Sequence, residues 1–141
     1  MLYLSALIAI VGAVGYQFFV KQVPASINPI VSVIGMYIAA LILSFILLPF
    51  FPPEGGLTHH IRKLNWIQIA IAVAIILVEV GFLLVYRHGM KLSTGNLIIG
   101  AIVNITLLGI GITYLGEKLS PANIIGVLLC LIGAVLIGYR P

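Results

Sequence analysis

The chain has 141 residues, 62% of them hydrophobic and only 7% charged, against about 25% charged in an average soluble domain. Its net charge of +4 comes from seven Lys and Arg scattered singly or in one pair between apolar runs, a pattern of interfacial anchors that argues against a nucleic-acid-binding surface. A lone cysteine, Cys130, excludes an internal disulfide, and a mean hydropathy of +1.29 identifies an integral membrane protein.

Five apolar runs follow in chain order. The first, about residues 2–20, is closed by Lys21; no positive charge precedes its apolar core, so it reads as a retained helix rather than a cleaved secretory signal. A turn, "VPASINP", leads to the second run, about 29–51, which carries no charge and ends in "PFFPPEGG", where Pro and Gly stop a helix. The longest loop, "PPEGGLTHHIRKLN", holds His59 and His60. Adjacent residues point about 100° apart on a helix and no Cys, Asp or further His stands near, so no metal site is expected. The loop reads instead as a basic segment touching anionic lipid headgroups. The third run, about 66–86, opens on Trp66, an aromatic of the interfacial kind. The fourth, about 92–115, again lacks charge, and "GEKLSP" connects it tightly to the fifth, about 122–139.

Runs of this length reach about 27–36 Å as helices, enough to cross a bilayer with modest tilt. They lack the alternation of membrane-barrel strands. The expected fold is therefore an all-α integral membrane protein with five transmembrane helices, a single domain over residues 1–141.

An odd number of crossings places the termini on opposite sides. The N-terminal side then receives Arg62, Lys63 and Lys118, and the other side Lys21, Arg87, Lys91 and Arg140. Orientation follows the surplus of Lys and Arg on the cytoplasmic side, and here the surplus is almost nil. Either the chain inserts both ways up, so that inverted copies can pair, or the small excess sets an N-out, C-in orientation.

The stretch "LSTGNLIIGAIVNITLLGIGITYLGEKLSPANIIGVLLCLIGAVLIGYRP" resembles the end of an EamA-type domain of the drug/metabolite transporter superfamily. There a helix ends in an L-G-E-[KR]-L-S-like corner, here Leu115, Gly116, Glu117, Lys118, Leu119 and Ser120, and a Gly-rich final helix follows. The resemblance covers essentially the whole chain and implies one five-helix EamA unit, half of the larger two-unit transporters. The related small multidrug resistance proteins work as antiparallel dimers, which implies that a second copy completes this one, in the cytoplasmic (inner) membrane of a prokaryote. Gly126 and Gly133 are seven residues apart on one face of the last helix, similar to the glycine-spaced dimerisation helix of those small transporters. Such glycines serve packing within a monomer as readily as between monomers. Two departures stand out: the membrane acid of the first helix is absent, Ala13 standing near its place, and Asn104 stands where EamA domains tend to carry proline.

Glu79 is the one acid away from a run's end, in "ILVEVGFLLVYR". A carboxyl at that depth costs about 2.5–3.5 kcal/mol on translocon scales, so it should face the bundle interior or a wet cavity, where it can bind a proton or a cation. The alternative is a structural carboxyl hydrogen-bonded across helices. Helical spacing puts Phe82 and Tyr86 on its face, a setting that suits an organic cation through charge and cation–π attraction, although aromatics at this spacing also serve packing. The resemblance implies that the first, third and fourth helices line the cavity, which brings Tyr16, Gln17 and Asn104 toward Glu79. Asn104 is the strongest of these additions, because an amide deep in an uncharged helix needs a partner.

No phosphate loop, nucleophilic triad or paired carboxylates appear, and Asp is absent altogether, so neither an enzyme nor a cofactor is expected. The expected function is proton-coupled secondary transport of a small organic cation, metabolite or amphiphile by a homodimer, Glu79 of each copy facing the cavity and exchanging proton for substrate. The alternative is a non-transporting membrane subunit or a component of a flippase for lipid-linked substrates.

Overall fold

The apolar runs fold as helices whose ends are set by identifiable residues. The computed structural model describes residues 2–118 and 120–139. Leu119 of the corner, and Arg140 among the anchors, lie outside the described residues.

Helix α1, Leu2–Gln22, runs two residues beyond its apolar stretch, because Lys21 and Gln22 continue the helix until the proline at 24 restricts Val23 to an extended conformation. Helix α2, Pro29–Leu47, opens on a well-formed cap: the Asn28 side chain accepts from the backbone N–H of Ile30 at 2.9 Å and of Val31 at 3.4 Å, and Pro29 takes the first helical position. The sequence places this helix's end at 51, but the α-helix stops at Leu47 and a 3₁₀ turn, Leu48–Phe50, completes the span. Pro49 has no N–H for an α-type bond, and the tighter turn follows.

The long loop turns at Gly55 and Gly56, with φ of 82° and 85°, and then forms a short helix α3, Leu57–Ile61, which hydropathy alone does not suggest. His60 Nε2 lies 2.8 Å from the Glu54 carbonyl. A carbonyl only accepts, so Nε2 carries the proton and ties the helix back across the glycines.

Helix α4, Trp66–Arg87, begins in a reciprocal cap. The Asn65 side chain accepts from Ile67 N–H at 2.9 Å, while the Gln68 side chain accepts from Asn65 N–H at 2.8 Å. Helix α5, Leu92–Tyr114, ends at Gly116, whose φ of 66° lets the chain reverse so that Glu117 N–H donates to the Gly111 carbonyl at 3.0 Å. Helix α6, Pro121–Gly138, starts one residue before the apolar run suggests, with Ser120 as cap, its hydroxyl accepting from Asn123 N–H at 3.2 Å, and Pro121 in the first turn.

Five of these helices, all but α3, are long and apolar enough to cross a membrane. With no water in hydrocarbon, hydroxyls must bond locally. Ser44, Thr106 and Thr113 do so, donating to the carbonyls of Ala40, Ile102 and Gly109 one turn back, at 2.8–2.9 Å.

The chain divides into two compact units, with the boundary inside α1: one holds residues up to Phe18 and those from His88 on, the other Phe19–Arg87. In the second unit α2 packs on α4, with Val20, Val33, Leu83 and Tyr86 buried. In the first, α5 packs on α6, closely enough that a Cβ on Gly138 would lie 3.1 Å from Ile98 Cδ1. Most large apolar side chains are exposed, as those facing lipid must be.

Candidate functional site

Glu79 lies half-buried on α4, eight residues before its end at Arg87. Tyr37 lies eight residues after the start of α2 at Pro29. The two helices are antiparallel neighbours whose shared end is marked by Arg87, which donates from Nη2 to the Ile27 carbonyl just ahead of α2. Eight residues is about 12 Å of rise on either helix, so the carboxyl and the phenol reach the same depth. The Tyr37 hydroxyl is buried and has no hydrogen-bond partner among the described residues.

Tyr37 is a residue that the sequence reading missed. The signal was present: a tyrosine well inside a charge-free span, at a distance from its turn equal to that of Glu79 from the same side. Counting inward from the shared membrane face would have paired them.

The expected face of α4 forms one turn further along. Phe82 and Tyr86 stack with ring centroids 5.8 Å apart and planes at 29°. Tyr86 is buried, and its other neighbour is a cation of the chain itself: Lys21 Nζ stands 5.2 Å from the ring centroid and donates to the Tyr86 carbonyl at 3.4 Å. This contact spends part of the cation–π capacity of the aromatic face on the end of α1.

The remaining expected residues belong to the other unit. Tyr16 and Gln17 line a pocket of about 320 Å³ with Ser93 and Asn96 of α5. Asn104 is shared by two grooves between α5 and α6, of about 400 and 430 Å³. One holds Asn123, Cys130 and Gly126, and the other Asn96, Cys130 and Gly133. Asn96, which sequence reasoning passed over, thus touches both the Tyr16 pocket and an Asn104 groove, two helical turns separating the amides. Asn104 is exposed in the single chain, an expensive state for an amide at mid-span unless ligand, water or another helix meets it. Nothing lies within 4 Å of a Cβ built on Gly126 or on Gly133, so neither glycine is filled by the chain itself.

The six expected residues are therefore divided: Glu79, Phe82 and Tyr86 in one unit, joined by Tyr37, and Tyr16, Gln17 and Asn104 in the other, joined by Asn96. Among the described residues no group of three or more His, Cys, Asp or Glu could hold a metal ion.

The family model of the EamA-like transporter family matches residues 1–139. No curated protein and no solved structure matches the chain.

Proposed function

Because the chain belongs to the EamA-like transporter family, we propose that it is a proton-coupled secondary transporter in which Glu79 binds proton and substrate in turn. The observation that carries this reading is the placing of a carboxyl, Glu79, and a phenol, Tyr37, at equal depth on two helices that pack together. A carboxyl kept at that depth needs a function to offset its cost. A buried phenol at that depth, its hydroxyl without a hydrogen-bond partner among the described residues, is placed to respond when the carboxyl gains or loses charge. The substrate class is a small organic cation, metabolite or amphiphile, met by charge at Glu79 and by the Phe82 ring.

The working state is a homodimer, with inverted copies as the preferred arrangement. The open grooves at Gly126 and Gly133 support it, since both glycines leave room for the close approach of another helix. Alternating access then follows from rocking of one copy against the other.

The test is proton-driven uptake of a panel of organic cations into proteoliposomes, with Glu79→Gln beside the wild type. The expected result is a loss of at least about tenfold in rate, with the pH dependence gone. A Glu79→Gln chain that transports at the wild-type rate with unchanged pH dependence would remove the coupling role.

The same grooves also favour a second reading, a non-transporting subunit or flippase component that docks α6 on a different membrane protein. It predicts a purified chain that stays monomeric and inserts in one fixed orientation, as read from the accessibility of tags at both termini.

A further inference from the structure

Two membrane spans meet at one face of the bilayer across residues 51–65: α2 and its 3₁₀ turn reach that face at Phe50, and α4 leaves it at Trp66. Whatever folds between them lies at the headgroup level, because both neighbours enter hydrocarbon. The short helix α3 is that element. Backbone hydrogen bonds carry its turns on to Leu64, with Arg62 N–H donating to the Thr58 carbonyl at 3.2 Å, Lys63 N–H to His60 at 3.0 Å and Leu64 N–H to Ile61 at 3.1 Å.

Over residues 57–64 the side chains sort by face. Leu57, Ile61 and Leu64 follow the i, i+4, i+7 spacing that makes one stripe of a helix. At about 100° per residue the three fall within an arc of about 60°, and Arg62, His59 and Lys63 fall on the opposite side. The apolar three are exposed, at 43%, 53% and 59%, so the chain itself does not cover the stripe. Arg62 and Lys63 are exposed too, and their side chains make no hydrogen bond or ion pair among the described residues. No acid lies within 57–64. Glu54 stands ahead of the two glycines and meets α3 through its backbone carbonyl, at His60.

An apolar stripe, a cationic side opposite it and a fixed place at the bilayer surface describe a helix lying in the interface, its cations reaching the phosphate level. Aromatic residues flank it where interfacial rings sit, Phe50 and Phe51 before it and Trp66 after it, all more than 70% exposed. An acidic protein would meet the cations and leave the stripe bare. An anionic leaflet meets both.

We propose that residues 57–64 form an interfacial anchor that gathers anionic phospholipid, Arg62 and Lys63 meeting the headgroups and Leu57, Ile61 and Leu64 the acyl boundary. The anchor holds the start of α4 at the membrane surface. It does not depend on the role of Glu79, and its readout is lipid contact, so its failure would leave the transport reading standing.

Trp66 is the one tryptophan of the chain and stands two residues past Leu64, which makes it the reporter. The full chain is placed in nanodiscs of phosphatidylcholine and phosphatidylglycerol at a fixed ratio, with brominated acyl chains carried by one lipid or by the other. Trp66 fluorescence should be quenched at least about twofold more when the bromine is on phosphatidylglycerol. That excess should vanish in Arg62→Gln/Lys63→Gln and shrink in the wild type as salt rises. Equal quenching by the two lipids overturns the proposal and turns the search to an acidic protein; an excess that the double variant retains overturns it as well. Should the double variant not fold, salt on the wild type decides: an excess that salt leaves unchanged removes the electrostatic seat. The stripe is read in a Cys130→Ser chain spin-labelled through Ile61→Cys or Lys63→Cys. The label at 61 should collide more with oxygen and the label at 63 more with an aqueous nickel chelate, and equal accessibility would take the helix out of the interface.

Discussion

The two units hold their helices together by different means. In Phe19–Arg87 the buried positions carry side chains, Val20, Val33, Leu83 and Tyr86, and the charged and aromatic groups cluster around them. In the unit of α5 and α6 the buried positions are Gly95 and Gly111, and the polar groups are amides that line open grooves. The first arrangement is a packed scaffold that can hold a costly acid at fixed depth. The second brings backbones close and leaves small-residue surface open to a further helix. The contrast is between a unit packed through side chains and one packed through glycines beside open grooves.

The largest test of that contrast is Leu83→Ala. Leu83 is 2% exposed, and its loss should cost about 2–4 kcal/mol in unfolding by detergent titration. Leu129, 63% exposed on α6, should cost less than about 0.5 kcal/mol when made Ala. Equal costs would mean that the first unit is not the packed one. Next in size, Gly133→Leu fills a groove that no atom of the chain fills, and should weaken self-association about tenfold by energy transfer between labelled chains while leaving monomer stability unchanged. Unaltered association would move the interface off α6.

Asn65→Ala removes the reciprocal cap of α4 and should lower stability by about 1 kcal/mol, with Gln68→Ala giving a smaller loss, both read by the same detergent titration. The smallest effect on folding is expected from Tyr37→Phe, within about 1 kcal/mol of zero, because its buried hydroxyl has no hydrogen bond to lose among the described residues. Its effect should appear instead in the pH profile of transport. A Tyr37→Phe chain with an unchanged profile would separate that phenol from Glu79.

Much of the helical layout could be read directly. Prolines at 24, 29 and 121, caps at Asn28 and Ser120, and the glycine at 116 mark where helices begin and end. The boundaries that differ, at Leu47 and Gln22, differ because the run of apolar residues and the run of helical hydrogen bonds need not stop together. The short helix at 57–61 was hidden because it is too short and too polar to leave a hydropathy signal.

The candidate site was legible only along single helices. Spacing on α4 put Glu79, Phe82 and Tyr86 on one face, and the stacking of Phe82 on Tyr86 agrees with it. It could not place Tyr37 at the depth of Glu79 on a packed neighbour or Lys21 against the Tyr86 ring, because those relations join residues that are distant in the chain. In a soluble helix the polar face would reveal which side is buried, but lipid is as apolar as leucine, and these helices are apolar all round.

The sequence by itself determined five membrane-spanning segments, their family and the single acid held at depth, since hydropathy, breakers and motifs act over neighbouring residues. Only the tertiary structure decided which helices pair, that the chain divides within α1, and that Lys21 and Arg87 line one cavity with Tyr86. Those outcomes depend on side-chain shape and hydrogen bonding between helices, which a uniformly apolar pattern does not record.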